Sequence, residues 1–233
     1  MFAVVFEVLP GDGKKDSYLD LAKHLKPIIE TIDGFIDNER YESRRRKGWV
    51  LSYSTWRDEK SVVRWRTEGE HHRVQEKGRY EIFKDYHLRV GEIFTDSAPP
   101  KNIPVREQRF DETEIGKAKV VTFTEITPKK DAAFAAQTDM LASHLGLDLQ
   151  QGGVVDLDVY DSIYNPGKIA LLVSWQDAGA AKRWSPQKID GVEHLRHRLI
   201  RVVRDYGKFD RREAPQFYPD AQGAPTRHPE PAH

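Results

Sequence analysis

His71 and His72 stand side by side in the polar stretch Glu70-His71-His72-Arg73, a few positions after Trp65. A neutral imidazole near pH 7 can take a proton from a phenol, leaving an electron-rich anion. An indole offers a flat apolar face on which a planar molecule can stack. These three residues are the catalytic candidates, although the charged neighbours of His71 and His72 fit a solvent-facing helix equally well. A second group consists of polar and aromatic side chains set into apolar runs: Glu7, Tyr53, Tyr86 and Arg89, with Trp184 further along. On a cavity face they would bind an anionic or phenolic ligand, and at sheet edges they would be solvated or packed. Trp56 and Trp175 read as core.

Other chemistries lack their residues. Cysteine is absent, which removes disulfides, thiol nucleophiles and thiolate metal sites. No Walker-type phosphate loop, Gly-x-Gly-x-x-Gly or His-Glu-x-x-His occurs, and no metal site is expected. The run Arg44-Arg45-Arg46-Lys47 is read as a solvated hairpin loop. It has no interleaved aromatics, and 37 basic residues balance 37 acidic ones across the 233 positions, so no nucleic-acid partner is expected. No apolar run nears the roughly 20 residues of a membrane span, and the start lacks a signal peptide's pattern, so a cytoplasmic protein is expected.

The elements that must position these side chains come in two sets. Gly34-Phe35, Tyr41-Glu42-Ser43, Gly48, Trp56-Arg57-Asp58 and Arg64-Trp65 recur 119 positions on as Gly153-Val154, Tyr160-Asp161-Ser162, Gly167, Trp175-Gln176-Asp177 and Arg183-Trp184. Past the second Trp the offset falls to 109, with Arg89 and Asp96 answered by Arg198 and Asp205, so the first copy holds ten additional residues. Strand patterns at 2–9, 35–43, 49–56 and 86–95 alternate with helical periodicity at 16–32, from Asp58 through Trp65, and at about 70–83. The order is strand, helix, strand, strand, helix, strand, a split βαβ arrangement. The chain is therefore read as α+β, with ferredoxin-like domains at 1–97 and 118–207, a linker at 98–117 and a Pro-rich tail at 208–233.

A four-stranded sheet with both helices on one face leaves its other face to be covered. The two sheets are expected to stack face to face, as a dimer inside one chain, and not to join edge to edge. Unprotected outer edges leave room for a homodimer.

The opening strand, Asp33-Gly34-Phe35, Trp56-Arg57-Asp58 with Trp65, and the run Glu70-His71-His72-Arg73-Val74-Gln75 through Gly78-Arg79 to Tyr86 together resemble the antibiotic-biosynthesis-monooxygenase family of dimeric α/β-barrel proteins. The resemblance covers roughly 2–96 well and 118–206 more loosely. It implies a cofactor-independent monooxygenase acting on a planar, aromatic small molecule held between the two sheets. It also implies an alternative, because haem degraders in the family use an Asn on strand one, the second Trp, and a His ten positions later. Here those positions hold Glu7 or Thr124, Trp65 or Trp184, and Gln75 or His194. Only His194 could then ligate haem. A third reading is a non-catalytic binding module. The extra residues of the first copy place the principal site there, with the second copy as its structural partner.

Overall fold

The computed structural model describes residues 1–130, 132 and 140–216. Asp131 of the expected repeat and the prolines from 219 onward lie outside the described residues. The first half runs β1 (Phe2–Pro10), α1 (Lys15–Ile29), β2 (Phe35–Ser43), β3 (Val50–Trp56), α2 (Glu59–Thr67), α3 (Gly69–Lys77), a π-helical turn at Gly78–Ile82, and β4 (Phe83–Asp96). The second runs β5 (Val120–Pro128), α4 (Leu141–His144), β6 (Val154–Ser162), β7 (Ile169–Trp175), α5 (Ala178–Lys182) and β8 (Val192–Gly207).

Local chemistry sets the boundaries. Asp58 caps α2 by accepting from Ser61 N at 2.8 Å, and Glu68 caps α3 by accepting from His71 N at 2.7 Å. Gly34 has φ +88°, and a Cβ there would lie 2.0 Å from Ser61 Oγ. Only glycine meets both demands, which lets the chain enter β2 directly against α2.

All eight strands close into one barrel, in the order β1-β3-β2-β6-β7-β5-β8-β4. The inner faces confront each other across its interior, but β2 also pairs antiparallel with β6, and β4 with β8. The expectation of sheets not joined at their edges is thereby corrected. Open edges would leave rows of unpaired N–H and C=O groups, and closure removes them.

The barrel interior is filled. Ala3, Val5, Leu51 and Tyr53 meet Val121, Phe123, Tyr160, Leu172, Ile200 and Val202, and the Tyr53 and Phe123 rings stack at 4.0 Å. Around them lies a buried ionic network with approximate twofold repetition. Glu7 pairs with Arg89 of β4, and Glu125 pairs with Arg198 of β8 at 2.7 Å. Each glutamate also accepts from a tyrosine of the other half, Tyr160 for Glu7 at 2.8 Å and Tyr41 for Glu125. Of the loop arginines, expected to be solvated, Arg45 is exposed but Arg44 is half-buried and Arg46 buried, and all three reach across to β6. Arg44 pairs with Asp161, Arg45 with Asp156, and Arg46, 4% exposed, with both Glu7 and Asp158. No helix among the described residues is long and apolar enough to cross a membrane.

Candidate functional site

Strand periodicity decides where a ligand can go. On β1 and β3, and on β2 and β4 past the bulges near their starts, odd-numbered side chains such as Val5, Glu7, Tyr53 and Arg89 enter the packed barrel, whereas even-numbered ones such as Val4, Asn38, Ser52 and Leu88 face α1 to α3. Between that outer face and the helices lies a cavity of about 180 Å³. Val4, Phe6, Asn38, Arg40, Ser52, Ser54, Leu88 and Val90 form its floor. Leu21, Ala22, Leu25 and Ile29 of α1, Val62 and Trp65 of α2, and His71 and Val74 of α3 roof it. Tyr206, Arg211 and Gln216, from the end of the described chain, complete the wall.

Trp65 and His71 are brought together by the break between α2 and α3. Their rings stack at 3.8 Å, 10° from parallel. His71 Nδ1 lies 2.8 Å from the Trp65 carbonyl oxygen, so it carries the proton and Nε2 is left as the basic nitrogen. Burial lowers the imidazole pKa to about 4, against the smaller raising effects of that hydrogen bond and of Glu68. His71 is therefore neutral at pH 7. The Gln75 amide lies 3.5 Å from His71 Nε2, and Gln216 donates to Gln75 Oε1 at 2.9 Å, tying the segment after β8 to the helix that carries the histidine.

Of the residues singled out from sequence, Trp65, His71 and Tyr86 line this cavity. His72, one step round α3, is exposed. Glu7, Tyr53 and Arg89 lie on the other side of the sheet, with Glu7 only 4% exposed. Burial alone would raise the Glu7 carboxyl, but Arg46, Arg89 and His87 outweigh it and hold the group well below the usual carboxylate range. The space between the sheets, where the ligand was expected, is occupied by these ion pairs and by stacked aromatics. Trp184 is 5% exposed in the second half's core, against Trp175 and His197, and donates to Leu145 O at 3.3 Å.

His194 has a 77% exposed side chain at the start of β8, with Nε2 3.6 Å from Glu193. Register also revises its strand-one partner. Glu7 pairs with Leu51 and Glu125 with Ala170, and Leu51 and Ala170 are 119 positions apart, so Glu125, not Thr124, corresponds to Glu7. Glu125 is committed to Arg198, so these residues do not converge on a haem pocket.

Asn38, Arg40, Ser52, Ser54 and Gln216 were not foreseen, and Gln75 was weighed only as the position of a haem ligand. The signal was there: β2 is polar on both faces, and at the 119-position offset Asn38, Arg40, Ser52 and Ser54 are answered by Leu157, Val159, Leu171 and Val173. The second half has aliphatic side chains where the first has small or polar ones.

Residues 1–77 match the family model described as antibiotic biosynthesis monooxygenase. A protein of Pyricularia oryzae strain 70-15, named jasmonate monooxygenase ABM, is 43% identical over 227 residues, which is 95% of this chain and all of that protein. Among solved structures, a candidate monooxygenase from Fusobacterium nucleatum subsp. nucleatum is 10% identical, covering 88% of this chain and 93% of that one at a TM-score of 0.39. An anthrone oxidase-like protein is 14% identical over 92% of this chain and 96% of that one, at a TM-score of 0.35. The chain belongs to the antibiotic biosynthesis monooxygenase family.

Proposed function

We propose that this chain is a monooxygenase that oxidises a small, largely apolar molecule held between the first sheet and helices α1 to α3, with no resident cofactor. The two halves act as tandem copies closed into an internal dimer, the first carrying the site and the second completing the barrel. One observation carries the reading: His71 lines a largely apolar cavity as a neutral imidazole with a defined tautomer, stacked on Trp65. Nε2 can accept a proton from the substrate, and the apolar walls exclude the water that would otherwise quench the resulting anion. Oxidation of a CH₂ to a carbonyl by O₂ balances with one water released and requires no outside reductant. Trp65 holds the imidazole in plane and offers its edge to the ligand.

The 43% identical relative is named for jasmonate, which makes that compound a first substrate to assay beside anthrones and hydroquinones. Oxygen uptake and product mass are followed, with and without a reduced nicotinamide donor. The expected result is turnover of at least one compound, reduced about 10²-fold or more in His71→Ala and unchanged in His72→Ala. No uptake across the panel, or equal loss in both variants, would overturn the proposal.

A further inference from the structure

The charge of the cavity is one-sided. Lys26, Arg40, Arg66, Arg79 and Arg211 line it, and no aspartate or glutamate does so among the described lining residues. In the barrel interior the opposite holds, since Arg46, Arg89 and Arg198 each meet a carboxylate. Arg40 differs from all three. Nη1 donates to Asn38 Oδ1 at 2.9 Å and to the Tyr164 hydroxyl at 3.4 Å, both neutral, and Nε is buried without a hydrogen bond. The guanidinium carbon lies 5.9 Å from the centre of the Tyr18 ring, whose own buried hydroxyl makes no hydrogen bond of normal geometry. The corresponding position of the second half is Val159, so the barrel itself does not require an arginine here.

A half-buried guanidinium beside neutral partners alone is costly, and an anion delivered by the ligand would offset that cost. We propose that Arg40 is the anion anchor of this cavity and that the substrate is an apolar acid, its carboxylate on Arg40 and its apolar body beneath α1 to α3. The planar fork of Arg40 matches the two oxygens of a carboxylate. Phe6, Leu21, Leu25, Ile29, Leu88 and Val74 supply the apolar contacts beyond it. The assignment rests on the cavity being the substrate site and names the class of substrate and the residue that selects it.

Binding is measured by calorimetry on the full chain with decanoate and 4-phenylbutyrate, each against its methyl ester. The wild type should bind at least one acid about tenfold or more tightly than its ester, the margin expected of a hydrogen bond to a charged group. Arg40→Met should abolish that preference, with the ester still bound and the melting temperature unchanged or raised, and Arg40→Lys should restore only part of it. Equal affinity for acid and ester, binding of neither, or a preference that survives Arg40→Met and disappears in Arg66→Met would overturn the assignment. Oxygen uptake is read separately. Acid binding that depends on Arg40 but leads to no turnover would refute the monooxygenase reading and leave the anion site standing.

Discussion

Replacing Ser52 by leucine, the residue found at the corresponding position 171 of the second half, separates a true cavity from a packed interface by the sign of its effect. Ser52 is on the cavity floor, and its Oγ accepts from Asn38 Nδ2 at 3.2 Å. Asn38 Nδ2 also donates to Tyr53 O at 3.1 Å, so losing the serine leaves the amide partnered. If the space is empty, burying the leucine side chain contributes about 1.5–3 kcal/mol. The lost hydrogen bond costs about 0.5–1.5 kcal/mol. The net is stabilisation by roughly 0–2.5 kcal/mol, raising the melting temperature by up to about 10 °C in a chain of this size. If the region were already filled, the same change would overpack it and cost about 1–3 kcal/mol. Calorimetric melting and oxygen uptake are read on the same preparation. We expect an unchanged or raised melting temperature together with at least a tenfold loss of ligand affinity or turnover, an effect of about 1.4 kcal/mol or more. A lowered melting temperature with normal turnover would refute both the cavity and its role.

Three further outcomes are expected. Arg46→Met removes a buried partner of Glu7 and Asp158 and should cost about 3–5 kcal/mol at pH 7, read by denaturant unfolding. Because Glu7 titrates well below its usual range, its stabilisation is present above the unfolded-state value and is lost as pH falls through the folded one. The deficit of Arg46→Met should therefore narrow in acid, and a deficit independent of pH would contradict the assignment. With His71 lowered to about 4, turnover governed by its neutral form should stay level from pH 8 to about 5.5 and fall with a midpoint near 4; a midpoint near 6.5 would identify another base. Trp184→Ala should lose about 3–5 kcal/mol of stability, whereas the exposed His194→Ala should stay within about 0.5 kcal/mol, and equal effects would show the burial pattern to be wrong.

The strands, α1 and the Asp58 cap were legible because each depends on local pattern. β2 and β6 begin and end at matching positions, as do the cap-forming Asp58 and Asp177. The face of the sheet that carries the cavity was not legible in the same way. Period two divides a strand into two faces without saying which one meets the partner sheet, and polar residues such as Glu7 and Arg89 suit a ligand site as well as a buried ion pair. The decisive partners are far apart in sequence: Glu7 accepts from Tyr160, and Arg46 reaches Asp158. Nothing within a short window reports such contacts. The arginine run was misread for the same reason, since a loop's own composition carries no information about the carboxylates it meets on another strand.

The comparison between halves supplies what a single strand could not. Two copies of one pattern closed on each other share the barrel interior, so the inward positions must remain compatible: Tyr41 answers Tyr160, Arg89 answers Arg198, and Glu7 answers Glu125. Outward positions are under no such tie, because each lies beneath its own helices. There the halves diverge. The second half presents Leu171, Val173 and Val159 to a filled core that includes Trp184, with only α4 and α5 above them among the described helices. The first presents Ser52, Ser54 and Arg40 to α1, α2 and α3, and the additional residues that form α3 and its π-helical turn are the ones that carry His71. Ten inserted residues and a handful of aliphatic-to-polar differences thus act together. The insertion raises a roof while the serines lower the floor, and the cavity lies between the two.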